Sequence, residues 1–287
     1  MQVTRVRIHP VKSFAGLDVP SATVLPWGLA GDRRWAVVDP EGTSVTAREE
    51  NALLGLVATP LDDDALRLVG ARAGGSGPAE ADDALLVAAP RDAVPVAVGH
   101  SRQGTALPAG EAADAWISAR LGRPLRLVWQ PDPTARTVKP DYGGRPGDSL
   151  TLADASPLLL ASEASLRLLN ELAAADADER GELAPEPLVM ERFRPNLVVD
   201  GETAFAEETW TRVRIGDVEF RVEGCCDRCV MTTIDPETLV RGKEPIRTLA
   251  RHRRREGKTW FGVRLVPALD ASAGDTVSVG DALHVLG

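Results

Sequence analysis

Residues 211–238 read "TRVRIGDVEFRVEGCCDRCVMTTIDPET", and this stretch holds a clear strand pattern together with every cysteine of the chain. Apolar and polar residues alternate on both sides of Gly216-Asp217, which indicates two strands joined by a turn. Similar patterns occur in "PNLVVDG" (195–201) and "GDTVSVGDALHVLG" (274–287). Because strands outnumber helices and do not alternate with them, we predict an α+β, β-dominated chain with a few helices.

Three helices are predicted between the strands, one of them a short helix around residues 246–255. In "GEAADAWISARLG" (110–122) apolar residues recur at helical spacing, and Gly122 is a suitable helix end. A second helix is expected to begin near Ser162, with leucines along one face. The acidic residues 175–188 are predicted to form a surface loop, and the Gly/Ser/Ala-rich residues 70–80 an exposed loop between strands.

A change in composition divides the chain in the middle. Residues 131–148, "PDPTARTVKPDYGGRPGD", are rich in proline and glycine, as expected of a linker or a mobile loop at a site. A chain of 287 residues is long enough for two domains. We therefore predict an N-terminal domain over residues 1–130 and a C-terminal domain over residues 131–287.

The overall charge and the cysteine content exclude several classes of protein. The formal net charge of -9 argues against general nucleic-acid binding, which needs a basic surface. The first residues, "MQVTRVRIHPVKSFAG", lack the apolar segment of a secretory signal, and no stretch reaches the ~20 apolar residues of a membrane span. Three cysteines in one short stretch are not a disulfide framework. We expect a cytoplasmic protein that is not bound to a membrane.

The cysteine cluster allows several interpretations. Cys226 and Cys229 form one metal-ligand pair, but structural zinc takes four ligands and the four histidines stand apart. Iron–sulfur clusters normally take four cysteines, and a redox pair normally begins a helix. The cysteines also fit small buried residues at a strand end. Alternatively, Arg228 stabilises a thiolate, and that thiolate binds a metal held mostly by an organic cofactor.

Several ordered motifs together resemble the MOSC-domain superfamily. They are "HPVKSFAG", "GDRRW", "VTARE", "DASPLLLASEASL", "RFRPNLVV", "CDRCVMTTIDPET" and "VGDALHVLG". The layout is similar to that of the amidoxime-reducing components and their bacterial relatives. The resemblance covers nearly the whole chain. It implies an N-terminal MOSC β-barrel domain followed by a MOSC domain, itself a mixed β-barrel with a few helices.

The resemblance also implies a molybdenum-cofactor site. Cys229 matches the cysteine that binds the metal in the family and would be the catalytic residue, with Cys225 and Cys226 as bystanders. The residues that match cofactor-binding positions of the family are Lys12, Ser13, Arg33, Ala155, Ser156, Arg194, Asn196, Asp227, Arg228 and Arg264.

Residue chemistry agrees with an anionic cofactor. Lys12 offers a charge to phosphate, and Arg194 and Asn196 offer a guanidinium group and an amide for phosphate and for the edge of a pterin ring. Ala155 and Arg264 depart from the residues expected in the family. These departures leave the substrate pocket open, and an additional arginine favours an anionic substrate.

The activity implied by the resemblance is a molybdenum-dependent reduction of N-oxygenated compounds such as amidoximes. Electrons would come from a separate flavoprotein, cytochrome b5-like or ferredoxin-like donor. The basic residues 247–258 are either a docking surface for an acidic donor or the solvated face of a short helix. The alternative function is a molybdenum-cofactor or sulfur carrier without turnover. The pyridoxal-phosphate domain of the cofactor sulfurases is not required for either function.

Overall fold

The computed structural model describes residues 1–70, 84–99, 103–268 and 274–287. The loop predicted at residues 70–80 lies almost entirely outside these ranges. Over the described residues the chain forms twenty strands and three α-helices. The elements are β1 (Val3–Ile8), β2 (Leu17–Val19), β3 (Ser21–Leu25), β4 (Gly28–Leu29), β5 (Trp35–Val38), β6 (Ser44–Val45), β7 (Val57–Pro60), β8 (Leu66–Val69), β9 (Leu85–Val87), β10 (Val96–Val98), β11 (Gly104–Pro108), α1 (Glu111–Leu121), β12 (Arg126–Trp129), β13 (Leu158–Ser162), α2 (Glu163–Glu179), β14 (Leu197–Val199), β15 (Arg212–Ile215), β16 (Val218–Asp227), α3 (Ile246–His252), β17 (Arg254–Arg255), β18 (Lys258–Pro267), β19 (Thr276–Ser278) and β20 (Leu283–Val285).

The largest sheet has nine strands in the order β2-β1-β14-β13-β18-β16-β15-β20, with β17 paired to β18. β13 and β14 are parallel, and the other neighbours are antiparallel. A row of paired residues, Val6, Leu197, Leu160 and Val263, crosses four strands and is fully buried. Side chains alternate between the two faces of a strand, so this row marks the face that packs into the core. The prediction of a β-dominated α+β chain is confirmed.

A second core lies under the sheet β10-β11-β12-β5-β6. Trp35 on β5 pairs in register with Trp129 on β12, and their ring centroids are 6.1 Å apart. Helix α1 adds Trp116 and Ile117 to this core, and it ends at Gly122 with a φ of 68°. The first predicted helix is therefore confirmed, including the residue that ends it. Within the described residues, no helix is long and apolar enough to cross a lipid bilayer.

Segments from the two ends of the chain share sheets. Strands β1 and β2 lie in the nine-stranded sheet, beside β14, and β3 pairs with β19. The first residues of the chain are thus built into the sheet that carries its second half. The division of the chain at residue 130 stays a prediction.

Helix α2 is longer than predicted. It begins after Ser162, whose side chain accepts from the Ala164 amide, and it continues to Glu179, through residues expected to form a loop. Asp176 is buried there because its carboxylate contacts the His252 ring and the Arg251 guanidinium on α3, at 2.9 and 2.8 Å. The prediction of a loop from residue 175 was wrong because these contacts to α3 stabilise the last helical turn.

Candidate functional site

A cleft of about 260 Å³ opens where the ends of several strands of the nine-stranded sheet meet. All eleven residues predicted for the cofactor site line this cleft: Lys12, Ser13, Arg33, Ala155, Ser156, Arg194, Asn196, Asp227, Arg228, Cys229 and Arg264. The first and the last of them come from opposite ends of the chain. Their predicted roles stay predictions, but the residues themselves lie together.

The direction of the strands explains this convergence. Lys12 and Ser13 follow β1, Ser156 precedes β13, and Arg194 and Asn196 precede β14. Strand β1 runs antiparallel to β14, which runs parallel to β13. The end of β1 and the beginnings of β13 and β14 therefore lie at the same edge of the sheet. This edge forms one wall of the cleft.

Three residues of the cleft have left-handed backbone conformations. Ser13, Arg33 and Arg194 have φ angles of 70°, 48° and 54°. A residue other than glycine in this region costs on the order of 1–3 kcal/mol, and such residues concentrate at functional sites. The turns that aim these side chains into the cleft are thus maintained at a cost in stability.

The cysteines lie at the irregular end of β16. Its pairing with β18 shifts register between Val222 and Cys225 and again between Cys225 and Asp227. Such irregularities bend a strand and redirect its side chains. Cys229 follows the strand and is exposed, and Arg264 of β18 donates to the Asp227 carboxylate at 2.8 Å.

All three thiols are free, and each contacts a different arginine. The contacts are Arg255 Nη2 to Cys225 Sγ at 3.4 Å, Arg228 Nη1 to Cys226 Sγ at 3.2 Å, and Arg48 Nε to Cys229 Sγ at 3.4 Å. Cys226 and Cys229 line the cleft, whereas Cys225 does not. Burial raises the pKa of the Cys225 thiol, and the charge of Glu208 raises it further. The structure thus separates Cys225 from the other two thiols.

The cleft is strongly cationic although the chain is acidic. Its lining contains seven cationic side chains, those of Lys12, Arg33, Arg48, Arg192, Arg194, Arg228 and Arg264. Two carboxylates, those of Asp154 and Asp227, lie among them. The net charge of the whole chain is -9. Positive charge concentrated in a concave site attracts anionic ligands.

Several guanidinium groups of the cleft retain unused donors. Arg194 Nη2, Arg228 Nε and Arg264 Nε are buried without a hydrogen-bond partner. An unpaired buried donor costs roughly 1–3 kcal/mol. A bound anion with several oxygen acceptors would reduce that cost, so the lining fits a ligand that carries phosphate or other oxygen-rich groups.

An ionic network joins three segments in the lining of the cleft. Lys12 Nζ contacts the Asp154 carboxylate and donates to the Leu152 carbonyl at 2.8 Å. Arg48 Nη2 donates to the other oxygen of Asp154 at 2.7 Å. Burial lowers the pKa of Lys12 to about 8, although Asp154 raises it. Burial raises the pKa of Asp154, but Lys12 and Arg48 outweigh burial and hold that pKa well below its usual range.

Sequence reasoning did not assign several polar residues of the lining, among them Arg48, Asp154, Tyr142 and Arg192. Arg48 and Asp154 stand within the motifs "VTARE" and "DASPLLLASEASL", which offered a signal for them. Tyr142, the only tyrosine of the chain, comes from the Pro/Gly-rich segment, and Arg264 lies over its ring at 4.9 Å. Arg192 pairs with a carboxylate outside the lining. Arg192 stands within the motif "RFRPNLVV", which offered the same kind of signal, whereas nothing in the local sequence singled out Tyr142.

Two predicted residues use their side chains to hold the sheet together. Asn196 accepts from the Leu159 amide at 3.3 Å and donates to the Arg7 carbonyl at 3.1 Å. The Ser156 hydroxyl donates to the Leu265 carbonyl at 2.9 Å. These bonds fix the positions of neighbouring strands, so part of what Asn196 and Ser156 contribute to the cleft is its shape.

The basic residues 247–258 are largely neutralised within the molecule. Arg247 pairs with Glu182 and Glu244, Arg251 with Asp176 and Glu179, and Arg253 and Arg255 with Glu208. These ion pairs remove net positive charge from the surface. The segment therefore offers an acidic partner less positive charge than its sequence indicates.

Anion binding to the cleft is expected to weaken as the pH rises through the pKa of Lys12. The ammonium is protonated at pH 7 and neutral at about pH 9.5, because its pKa lies near 8 instead of 10.5. Losing one charge-assisted hydrogen bond corresponds to a roughly tenfold weaker affinity. Titration of inorganic pyrophosphate by calorimetry at the two pH values measures this change.

Two variants test the assignment of this pH dependence. Lys12→Gln is expected to bind pyrophosphate weakly at both pH values, because it has no ammonium to lose. Lys139→Gln alters an exposed lysine that does not line the cleft, and it is expected to behave as the unmodified protein does. An affinity that changes between the two pH values by the same factor in Lys12→Gln as in the unmodified protein would show that Lys12 does not contact the anion.

Comparison with known proteins finds two matching domain families and a relative that is similar over nearly the whole chain. The family described as MOSC domain matches residues 147–284, and the MOSC N-terminal beta barrel domain matches residues 1–124. The chain is 34% identical over 303 residues to mitochondrial amidoxime-reducing component 1 of Homo sapiens, with 99% of this chain and 83% of that protein covered. The predicted order, a β-barrel domain and then a MOSC domain, is confirmed.

A second group of relatives is larger than this chain. Molybdenum cofactor sulfurase of Homo sapiens is 31% identical over 284 residues, with 97% of this chain covered. The chain spans only 31% of the length of that sulfurase. A further relative of the first kind is mitochondrial amidoxime-reducing component 1 of Mus musculus. It is 35% identical over 263 residues, with 88% of this chain and 71% of that protein covered.

Proposed function

The chain belongs to the MOSC family, and on that premise we propose that it is a molybdenum-cofactor-dependent reductase of N-oxygenated compounds. The observation that carries the proposal is the convergence of the eleven predicted residues on one cationic cleft with the exposed Cys229 in its wall. Similarity to an amidoxime-reducing component over nearly the whole chain supports the same reaction class.

The residues of the cleft fit this cofactor on three counts. Seven cationic side chains match an anionic pterin phosphate, and the unused guanidinium donors match its oxygens. Among the described residues, no group of three or more His, Cys, Asp and Glu side chains is placed to hold a metal ion. A metal here would depend on one thiolate and on ligands supplied by an organic cofactor, and soft thiolates suit molybdenum of this kind.

Each part of the lining has a role in this proposal. Cys229 would bind the metal, Lys12 and Arg194 would hold the phosphate end, and Arg228 would offer its unused guanidinium donor to the cofactor. When bound, the cofactor supplies the two-electron chemistry that takes an oxygen from nitrogen. The protein orients the substrate and excludes water, and Tyr142 contributes to the lining.

The partners belong to the same proposal. Reduction of an N-oxygenated compound to the amine or amidine and water takes two electrons and two protons. A separate flavoprotein, cytochrome b5-like or ferredoxin-like protein would supply the electrons. The cytoplasmic location predicted from the sequence is also part of the proposal.

A carrier function is the second candidate, and one observation favours it. Cys226 lines the cleft beside Cys229, so two thiols face the same space. Similarity to molybdenum cofactor sulfurase agrees with a role in holding the cofactor or in passing sulfur on. Such a protein would contain cofactor or carry transferable sulfur on a thiol, and it would not turn over substrate.

Expression in a host that makes the molybdenum cofactor tests the proposal. We expect the purified protein to contain near-stoichiometric molybdenum and pterin and to convert benzamidoxime to benzamidine with reduced methyl viologen as the electron source. Bound cofactor without turnover, or cyanide-releasable sulfur on a thiol, would favour the carrier. Absence of both metal and pterin after expression in that host would contradict the reductase, and absence of transferable sulfur as well would contradict the carrier.

A further inference from the structure

We propose that Arg48 is a positioning residue that holds Cys229 and connects it, through Asp154, to Lys12. Arg48 Nε donates to Cys229 Sγ at 3.4 Å, and Arg48 Nη2 donates to Asp154 at 2.7 Å. The second oxygen of Asp154 contacts Lys12 Nζ. The inference rests on the proposed function in one respect, which is that Cys229 binds the metal.

The geometry explains why this residue is an arginine. One planar guanidinium group makes both contacts, because its Nε and Nη2 atoms lie on the same side of the group. A lysine ammonium is a single charged centre and would not span the thiol and the carboxylate in the same way.

Arg48 is itself held in place by its own turn. The Thr46 hydroxyl and amide both donate to the Glu49 carboxylate, at 2.6 and 3.1 Å, and the Arg48 amide donates to the Thr46 hydroxyl at 3.3 Å. Such a capped turn has few alternative conformations. These hydrogen bonds therefore hold the backbone of Arg48 in place, and its side chain extends from that backbone to the cleft.

The chain segment after Cys229 is fastened to this same turn. Arg241 Nη2 donates to the Arg48 carbonyl at 2.7 Å and to Asn51 at 3.1 Å. Beneath these bonds, Ala47 and Ile234 pack in one buried cluster. The N-terminal half of the chain thus supplies the surface on which the cysteine segment rests, and Arg48 is the part of that surface that touches the thiol.

The molecule contains a matched control for this contact. Arg255 Nη2 lies 3.4 Å from Cys225 Sγ, the same distance as Arg48 Nε from Cys229 Sγ. Cys225 does not line the cleft, so the Arg255 contact has no route to the proposed metal. Arg255→Gln removes an arginine–thiol contact of equal length without touching the site.

The experiment compares Arg48→Gln, Arg48→Lys and Arg255→Gln in protein from a cofactor-producing host. Removing a group that orients a metal ligand typically weakens metal binding by about tenfold or more. We expect Arg48→Gln to retain pterin but to lose molybdenum relative to pterin, and Arg48→Lys not to restore the ratio. Arg255→Gln is expected to keep the ratio of the unmodified protein. An unchanged ratio in Arg48→Gln would overturn the proposal.

A second measurement uses cofactor-free protein and does not depend on the proposed function. Labelling of Cys229 by iodoacetamide, followed by peptide mass spectrometry, is expected to change in rate by about threefold or more in Arg48→Gln, because that variant lacks the guanidinium group that contacts Sγ and limits access to it. Arg255→Gln is expected to leave the Cys229 rate unchanged. Equal rates in both variants, at unchanged melting temperature, would overturn the role of Arg48 even if the unmodified protein binds no molybdenum.

Discussion

Replacing Cys229 with serine is expected to remove molybdenum from the purified protein and to lower benzamidoxime reduction by on the order of a hundredfold or more. A thiolate is a soft ligand for the metal, whereas a serine hydroxyl remains protonated near neutral pH and binds it poorly. Cys229 is exposed in the wall of the cleft, so the substitution leaves no cavity in a core. Molybdenum and pterin per chain, together with the initial rate, measure the effect.

The other two cysteines are the controls for this prediction. Cys225→Ser is expected to keep both metal and activity, because Cys225 does not line the cleft. Cys226→Ser is the sharper comparison, since Cys226 shares the cleft but is held by Arg228 at 3.2 Å. Loss of molybdenum in Cys226→Ser with retention in Cys229→Ser would identify Cys226 as the metal ligand. That result would contradict our proposal.

Replacing Phe193 with alanine is expected to lower the free energy of unfolding by about 3–5 kcal/mol, the usual cost of deleting a buried phenylalanine ring. The ring is fully buried and stacks on Phe261, with centroids 3.9 Å apart and an interplanar angle of 25°. The Arg228 guanidinium lies over the same ring, and Arg228 Nη2 donates to the Phe193 carbonyl at 2.7 Å. Urea denaturation of the cofactor-free protein measures the change.

This substitution also affects the site, because Phe193 and Arg228 both line the cleft. We expect Phe193→Ala to bind pyrophosphate more weakly than Phe193→Leu, which retains most of the apolar volume. Val240→Ala is the surface control, since Val240 is 65% exposed and its truncation is expected to change stability by less than about 0.5 kcal/mol. A loss below about 1 kcal/mol in Phe193→Ala would mean that the ring is not a packed part of the core.

Local sequence patterns predicted helix ends and turns correctly where these depend on neighbouring residues. Helix α1 ends at Gly122, as predicted, because the left-handed conformation at a helix end suits glycine. The predicted turn at Gly216-Asp217 joins β15 and β16, which pair in register. The predicted helix α2 was shorter than the observed one. The last turn of α2 is stabilised by buried contacts to α3, which lies more than seventy residues later in the chain.

The motif resemblance predicted more of the site than composition or periodicity did. Without it, Arg33 resembles a surface arginine at a turn, Arg194 and Asn196 a routine junction between a loop and a strand, and Ser156 a residue of an ordinary turn. The structure places all eleven predicted residues in one cleft, and it adds Arg48 and Asp154 to them. Both added residues stand inside motifs that were recognised for other reasons, so the signal was present but was not assigned to a residue.

The sequence by itself determined the strand-rich character of the chain, the ends of its first helix and the family to which its motifs point, because each of these depends on neighbouring residues. Only the tertiary structure decided which thiols share the cleft and how their charges are balanced. Irregular pairing bends β16 near Cys225, and Arg48 meets Cys229 across 181 positions of sequence. Contacts of this kind depend on which strands pair and in what register, and the pattern of a single segment contains no information about its distant partners.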